Sequence, residues 1–340
     1  MPLRPPDLWF LVLASTSCNW VSLARHSLTY RTTARGEAAN LAAAGDVLFV
    51  SLAEDGVAII DAATGRTITT LPPPEGAESV DDVAVAGDIL FTLDARAPGH
   101  LAAYAIHNPA APRQVATARA VPVGPFSGVS ASGGICIVSG GTSRLTVWRY
   151  DRHGVLEGPV ATGDFGRGQP DVLVSPSRSL AFVSTHYWGP YFGLDVVRYD
   201  STGQLTLLSE LPLDGAGFTA GGAKPASFPF VTSILDPHTL LVAYARGLGV
   251  IDITRPEAPR LVRTVPLGGP AVSLTVRDST ALAAVGGDEP ALVLLEFSDG
   301  REIGRRRLPL AAGTIPGGVA LTATRAAVAL GPRGVQVFPR

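Results

Sequence analysis

Val47-Leu-Phe-Val-Ser51 is a short apolar segment that follows the turn-forming residues Gly45 and Asp46. Six segments of the same kind follow it along the chain, and they are Ile89–Leu93, Ile135–Ser139, Leu180–Ser184, Thr239–Ala243, Ala281–Val285 and Ala326–Leu330. Their starts lie roughly 42 to 46 residues apart, except for one longer step before the fifth segment. Self-similarity at a fixed interval of this length indicates a fold assembled from seven repeated units.

Each apolar segment is flanked by further segments that have the composition of strands. A strand of small residues precedes it, as in Val83–Ala86, and an apolar strand follows it, as in Leu145–Arg149. A fourth segment, such as Gln204–Leu208, alternates between polar and apolar residues. Strands that are sandwiched between neighbouring sheets are buried on both faces, whereas an outermost strand has a wet face and alternates. The sequence therefore predicts an all-β fold, a seven-bladed β-propeller.

The last repeat lacks an outer strand before the sequence ends at Arg340. The segment Ser27–Thr33 precedes the first complete repeat and alternates as an outer strand does. Pairing this segment onto the last blade closes the ring, and closure removes the exposed faces and edges of an open propeller. We therefore expect residues 19–340 to form a single propeller domain whose last blade is closed by an N-terminal strand.

The composition is that of a folded globular chain with little attraction for polyanions. Hydrophobic residues make up 46% of the chain and charged residues 16%, a balance that excludes disorder. The formal net charge is −2, and no basic run is long enough to follow a phosphate backbone. The densest basic group, Arg301 with 305–307, falls on a predicted outer strand, where we expect a solvated face. We expect no nucleic acid among the partners.

The first residues have the pattern of a secretory signal. The apolar stretch Leu8–Ala14 follows a single basic residue, Arg4, and is too short to span a bilayer as a helix. The small residues 15–17 then provide a site for a signal peptidase, and Cys18 follows them. We therefore expect residues 1–18 to be a signal peptide and the protein to be exported to the periplasm or cell surface. A buried N-terminal strand is the alternative.

Cys18 stands where a bacterial lipoprotein carries its lipidated cysteine, although Ser15 occupies the place usually held by leucine. Lipidation of Cys18 would tether the protein to a membrane. The second cysteine, Cys136, lies in an apolar strand and is expected to act as a small hydrophobic side chain. A Cys18–Cys136 disulfide is the alternative, and it requires an uncleaved signal. Two cysteines so far apart offer no zinc-binding spacing.

Two repeats carry a recognisable tag, Tyr104–Arg113 and Val250–Val262. The second resembles the LVIVD-repeat propellers, in which a strand ending in Asp-Ile precedes a proline-containing turn and a Leu-Val strand. A further stretch, from Gln169 to Leu205, is similar to blades of the bacterial lactonase-type (YVTN-like) seven-bladed propellers. The first resemblance implies an exported or surface-associated protein without an assigned role. The second implies no activity here, because the clustered catalytic His, Glu and Arg of the lactonases have no equivalent.

The most unusual local composition is an aromatic segment within the fourth repeat. It places His186, Tyr187, Trp188, Tyr191 and Phe192 between two predicted strands. Aromatic rings stack on sugar rings or flat ligands, and the histidine adds a polar group, so we interpret these five residues as ligand-binding. The alternative is a hydrophobic cluster beneath a long loop.

A glycine-rich insertion, residues 214–227, accounts for the longer step in the repeat and contains the only lysine, Lys224. No strand-then-helix pattern surrounds it, so it does not resemble a phosphate-binding loop. We add Lys224 to the predicted ligand-binding residues as part of a lid beside the aromatic segment, with a plain surface loop as the alternative.

Acidic residues recur near the start of two inner strands, at Asp81, Asp82 and Asp171. Acids of neighbouring inner strands can converge on the channel axis and bind a cation, but two repeats are too few to define a cage. The histidines show no spacing typical of a metal pair or a catalytic triad. We therefore predict no metal, no cofactor and no catalytic residues.

These observations favour an exported, non-catalytic propeller that acts as a binding or scaffold module. Its expected partner is an envelope protein, a peptide or a glycan, because the concentrated feature of its loops is aromatic rather than ionisable. We expect a monomer. The alternative is a hydrolase or lyase of the lactonase-like propeller type, which would gather several ionisable groups at one mouth of the channel.

Overall fold

The computed structural model describes residues 28–30, 38–96, 98–119, 127–140, 144–165, 168–186, 192–213 and 232–340. These residues form seven four-stranded antiparallel sheets arranged as the blades of a ring. In each blade the first strand is innermost and the fourth is outermost. The predicted all-β fold, a seven-bladed β-propeller, is confirmed.

The first four blades follow one another in chain order. Blade 1 contains β2 (Leu41–Ala44), β3 (Val47–Ser51), β4 (Val57–Asp61) and β5 (Thr67–Leu71). Blade 2 contains β6 (Asp82–Ala86), β7 (Ile89–Asp94), β8 (His100–Ala105) and β9 (Arg113–Arg119). Blade 3 contains β10 (Gly128–Ser132), β11 (Ile135–Gly140), β12 (Arg144–Tyr150) and β13 (Leu156–Asp164). Blade 4 contains β14 (Gly168–Ser175), β15 (Leu180–His186), β16 (Phe192–Tyr199) and β17 (Leu205–Pro212).

The remaining blades complete the ring. Blade 5 contains β18 (Thr232–Asp236), β19 (Thr239–Tyr244), β20 (Gly247–Asp252) and β21 (Arg260–Val265). Blade 6 contains β22 (Ala271–Arg277), β23 (Thr280–Val285), β24 (Ala291–Ser298) and β25 (Arg301–Pro309). Blade 7 contains β26 (Val319–Leu321), β27 (Arg325–Ala329), β28 (Val335–Pro339) and, as its outermost strand, β1 (Leu28–Tyr30).

The predicted closure of the ring is observed at Leu28–Tyr30. Leu28 lies opposite Val337, and Tyr30 lies opposite Val335, in an antiparallel pair. Blade 7 therefore combines three strands from one end of the sequence with one strand from the other. The rest of the predicted segment, Ser27 and residues 31–33, lies outside the described residues.

The continuous apolar runs form the second and third strands because these strands are covered on both faces. All residues of β7, β8 and β23 are buried. The outermost strand β25 instead alternates between exposed and half-buried residues along most of its length. This is the contrast expected between strands sandwiched by two neighbours and strands at the rim.

The hydrophobic core lies between the blades. At the junction of blades 2 and 3, Phe91 and Leu101 pack with Val129, Cys136 and Trp148, and each is at most 6% exposed. Each of the six other junctions has a cluster of its own. Fully burying one large apolar side chain stabilises a fold by about 1.5–3 kcal/mol, so each blade depends on the two blades beside it.

The two ends of the ring carry different connections. The front end, as we name it, carries the segments between blades and the loops between the second and third strands. The back end carries the turns between the first and second strands and between the third and fourth. Within the described residues the only helical element is the 3-10 turn Pro176–Arg178, and no helix there is long and apolar enough to cross a membrane.

The predicted solvated face on β25 is found at Arg301 and Arg305, which are exposed, but not at the next two arginines. Arg306 and Arg307 are half-buried, and the guanidinium groups bind main-chain carbonyl groups of neighbouring segments. The donor and acceptor pairs are Arg305 to Pro266 at 2.8 Å, Arg306 to Pro339 at 2.8 Å, and Arg307 to Leu267 at 2.6 Å and to Glu289 at 2.7 Å. These arginines therefore connect blade 6 to blades 5 and 7.

Candidate functional site

The aromatic segment of the fourth repeat lies at the front end of blade 4. His186 ends β15 and lies opposite Phe192, which begins β16. Gly193 lies opposite Pro212, near the end of β17, so the chain enters the insertion at 214–227 from the same end of the same blade. Tyr187, Trp188, Tyr191 and Lys224, and the side chains of His186 and Phe192, lie outside the described residues. Their role in binding stays a prediction.

The front end of blade 2 holds a network of one buried acid, Asp94, and one half-buried acid, Asp81, around Ser79. The Ser79 hydroxyl lies 2.8 Å from Asp81 Oδ2 and 2.9 Å from Asp94 Oδ1. Asp94 also accepts hydrogen bonds from the main-chain N–H groups of Glu78 and Arg96, both within 2.9 Å. Because Ser79 is fully buried, its hydroxyl cannot meet a substrate, and the network holds two loops together instead.

Asp82 connects the inner strands of blades 2 and 3. Its Oδ1 accepts the N–H of Val83 and its Oδ2 accepts the N–H of Val129, each at 2.8 Å. Burial raises the pKa of Asp82 to about 7, against the lowering effect of these two N–H groups. The side chain is therefore a titratable contact between blades.

The acids that sequence reasoning considered for a cation do not converge in the described part of the chain. Asp81 and Asp82 use their carboxylates for the contacts above, while the main-chain carbonyl of Asp171 accepts the hydroxyl of Ser184 at 3.4 Å. Among the described residues, no three His, Cys, Asp or Glu side chains come together as a metal site requires.

The described histidines lie apart from one another. His100 is 5% exposed, and its Nδ1 has no hydrogen-bond partner. His153 accepts a hydrogen bond from Nε of the adjacent Arg152 at 3.0 Å. His107 and His238 lie in back-end turns of blades 2 and 5, respectively. None of these positions pairs a histidine with a hydroxyl nucleophile.

Cys136 is completely buried in the cluster between blades 2 and 3, as expected of a small hydrophobic side chain. Burial raises the pKa of its thiol well above the usual range. The thiol is therefore inert at neutral pH. Cys18 lies outside the described residues.

An open cleft of about 520 Å³ lies at the back end, between blades 1 and 2. Apolar residues that line it, including Phe49 and Val85, belong to the core cluster of that junction. Its rim is formed by the turn residue Asp88 and by His107, both of which are exposed. The lining residues are Ala43, Ala44, Gly45, Val47, Phe49, Val85, Gly87, Asp88, Ile106, His107 and Pro109.

Sequence reasoning missed this cleft. The turn between the first two strands of blade 1 has two residues, Gly45 and Asp46, whereas the corresponding turn of blade 4 has four, Pro176–Ser179. The four-residue turn of blade 4 carries Arg178, whereas the two-residue turn of blade 1 carries no long basic side chain. Turn length alone does not mark the cleft, because two-residue turns also occur at this place in blades 2, 3, 5 and 6.

The chain is similar in fold to solved β-propellers, and no protein-family model or curated protein matches its sequence. The WD40 repeats of RRP9 match with a TM-score of 0.63 and 11% identity, over 92% of this chain and 97% of that chain. The structure of U3-55K matches with a TM-score of 0.63 and 11% identity, over 92% and 98%. The computationally designed Ika8 protein matches with a TM-score of 0.55 and 11% identity, over 89% and 83%. At such low identity the likeness shows the fold alone: the chain is a seven-bladed β-propeller.

Proposed function

We propose that this chain is an exported, non-catalytic propeller that acts as a binding or scaffold module for a protein, peptide or glycan of the cell envelope. The proposed contact surface is the front end of blade 4, comprising the aromatic segment 186–192 and Lys224. The propeller supplies a rigid ring, and the loops at its ends supply the contacts, as in other folds whose function lies on loops.

The register of blade 4 is the observation that carries this proposal. The pairs His186–Phe192 and Gly193–Pro212 put the ends of three strands side by side at the front end. The aromatic segment and the insertion with Lys224 both continue from these strand ends. The two chain segments that contain four aromatic residues, one histidine and one lysine therefore both connect to the front end of blade 4, and aromatic residues are typical of recognition surfaces.

Two further observations support a binding role. The solved propellers of similar fold include WD40 repeats, and propellers often serve as protein-binding scaffolds. The resemblance to LVIVD-repeat propellers supports a location outside the cytoplasm, together with the apolar stretch and the cysteine at residues 8–18. A glycan or a peptide both suit an aromatic surface.

Export is tested by fractionating cells that express the full chain and by determining the mature N-terminus with mass spectrometry. We expect the protein in the envelope or medium, beginning at Cys18 with a lipid or shortly after it. A Cys18→Ala variant should then lose membrane attachment and remain exported. An intact Met1 on cytoplasmic protein would contradict the proposal.

Binding is tested by replacing Tyr187 and Trp188 with alanine. The variant and the parent chain are applied to a glycan array and to an envelope extract from which bound proteins are identified. Each interacting ligand is then measured with purified components. We expect the double variant to lose affinity at least tenfold, because stacked aromatic side chains at a contact contribute about 2 kcal/mol or more each.

The matched control is Ile315→Ala. Ile315 is 71% exposed and lies in a front-end connection between blades 6 and 7, so the change removes an exposed apolar side chain from the same end of the ring. We expect this control to bind as the parent does. Equal affinity of the Tyr187→Ala/Trp188→Ala variant and the parent would remove blade 4 as the contact surface. Turnover of a lactone by the parent would favour the hydrolase alternative.

A further inference from the structure

The cleft between blades 1 and 2 has filled counterparts elsewhere in the ring. The two-residue turn that follows Ala86 in blade 2 corresponds to the turn that follows Asp236 in blade 5, because Ala86 pairs with Ile89 as Asp236 pairs with Thr239. Continuing along the third strands, Ile89 pairs with Ala105 as Thr239 pairs with Asp252. Three lining residues of the cleft, Gly87, Ile106 and His107, therefore correspond in order to Pro237, Ile253 and Thr254.

Those three counterparts in blade 5 bind a guanidinium group. Arg178, from the back-end turn of blade 4, donates from Nη1 to the carbonyl oxygens of Pro237 at 3.0 Å and Ile253 at 2.6 Å. It donates from Nη2 to the carbonyl oxygen of Thr254 at 3.1 Å. The planar fork of arginine thus satisfies a set of three carbonyl groups that the propeller repeat creates.

A second junction repeats part of this arrangement. Arg325, at the back end of blade 7, donates from Nη2 to the carbonyl oxygen of Ala63 in blade 1 at 3.3 Å. Asp61 pairs with Val47 in blade 1, as Asp252 pairs with Thr239 in blade 5. Ala63 lies two residues beyond Asp61, and Thr254 lies two residues beyond Asp252. Ala63 therefore corresponds to Thr254, and both correspond to His107 of blade 2. In two other blades, the main-chain carbonyl group of the residue that corresponds to His107 thus accepts a hydrogen bond from an arginine.

The junction of blades 1 and 2 presents this position without a cation. Its turn from blade 1 is two residues shorter than the turn carrying Arg178, and it consists of Gly45 and Asp46. No lysine or arginine is among the described residues that line the cleft. The exposed carboxylate of Asp88 adds a negative charge to the rim, and apolar side chains such as Val85 line the wall.

We propose that this cleft binds an arginine side chain presented by a partner protein. The carbonyl groups of Gly87, Ile106 and His107 accept its N–H groups, Asp88 pairs with its charge, and the apolar wall contacts its methylene groups. A lysine fits less well, because the three acceptors of the counterpart are shared between two nitrogens of one guanidinium group, and an ammonium group has only one nitrogen. The cleft lies at the back end, so the inference does not rest on the proposed contact surface of blade 4.

The test uses the purified full-length chain and a capped arginine, Nα-acetyl-arginine methylamide, followed by NMR. We expect saturable shifts at the amide groups of Gly87, Asp88 and His107. Two matched compounds serve as controls: capped lysine, and capped citrulline, which has the same shape without the charge. We expect the affinity for each to be lower than the affinity for capped arginine by about tenfold or more. Equal affinity for citrulline, or no saturation by arginine, would overturn the proposal.

Two variants locate the site. In the first, the four-residue turn sequence of blade 4 replaces Gly45 and Asp46, so that an internal arginine fills the cleft, and we expect binding of capped arginine to disappear. In the second, Asp88→Asn should weaken binding about tenfold, because a charge-assisted contact is lost. Asp46→Asn is the matched control, since Asp46 is an exposed turn acid outside the lining, and it should bind as the parent does.

Arg178→Ala provides a positive control for the chemistry of the position. It opens the counterpart between blades 4 and 5, so we expect a lower melting temperature that capped arginine raises again and capped citrulline does not. Absence of this rescue would argue against guanidinium recognition by the three carbonyl groups. Concentration-dependent self-association of the parent, lost in the turn-replacement variant, would identify a second copy of this chain as the occupant and overturn the partner assignment.

Discussion

Arginine side chains connect neighbouring blades by donating hydrogen bonds to main-chain carbonyl groups of the next blade. Besides Arg178, Arg149 of blade 3 donates to the carbonyl oxygen of Ser201 in blade 4 at 3.3 Å. Arg306 of blade 6 donates to that of Pro339 in blade 7 at 2.8 Å. The five N–H donors of arginine are spread over three nitrogens, so they reach acceptors that lie farther apart than those around a single ammonium nitrogen. The chain contains a single lysine, and the cations that connect its blades at these contacts are arginines.

Asp82 makes the contact between blades 2 and 3 dependent on pH. With a pKa of about 7, against an ordinary value of 3.8, the folded chain keeps this proton at higher pH than the unfolded chain does. The contribution of Asp82 to stability is therefore fully present below pH 3.8 and is lost as the pH rises to about 7. We expect Asp82→Asn to remove this dependence, so the variant should gain stability relative to the parent as pH rises from 4 to 7.

Urea denaturation of the parent and the Asp82→Asn variant at several pH values between 4 and 7 measures this difference. The absolute stability of the variant is secondary, because an amide offers only one acceptor oxygen for the N–H groups of Val83 and Val129. Titration of the Asp82 carboxyl carbon by NMR is the direct check. A midpoint below pH 5 would contradict the assignment.

At the scale of strands, the sequence pattern was sufficient to predict the position of those strands that are buried on both faces. Val47–Ser51 is β3 without change, and Leu180–Ser184 forms most of β15. Both are covered by neighbouring blades, so their apolar character is visible in the sequence. The described part of Ser27–Thr33, Leu28–Tyr30, was placed correctly as well, since alternation marks an outer strand and the last repeat lacked one.

Contacts between elements that are distant in the sequence could not be predicted. Arg178 and its acceptor Ile253 are 75 residues apart, and Arg325 and Ala63 are 262 residues apart. No local periodicity encodes such pairs, so the arginine contacts and the cleft at blades 1 and 2 were missed. For the aromatic segment of blade 4, the binding role stays a prediction from the sequence. The fold adds that the segment connects two strands at the front end of the ring.

At the scale of the molecule, the closure of the ring by β1 can be tested with a disulfide. Thr29 lies directly opposite Gln336, and facing residues of an antiparallel pair are close enough for a disulfide. We expect Thr29→Cys with Gln336→Cys, in a Cys18→Ser background, to form this bond under mild oxidation. The free energy of unfolding should rise by about 2–4 kcal/mol, because the bond restricts the unfolded chain.

The off-register pair Leu28→Cys with Gln336→Cys is the control, because neighbouring residues of a strand point to opposite faces. Mass spectrometry of the oxidised proteins and their urea denaturation, repeated after reduction, give the comparison. Equally rapid bond formation in both pairs would contradict the observed register, and a crosslinked Thr29–Gln336 protein without added stability would show that closure contributes little.

The pairing of β1 with β28 also sets the order in which the molecule can be completed. β1 is translated roughly 300 residues before the strand it joins, so blade 7 is finished last, however early its outermost strand emerges. Until then the apolar side chains of blade 1 that face blade 7, including Leu48 and Ile60, lack the strand that completes their cover. We therefore expect chains that lack a complete blade 7 to aggregate more readily than the closed ring.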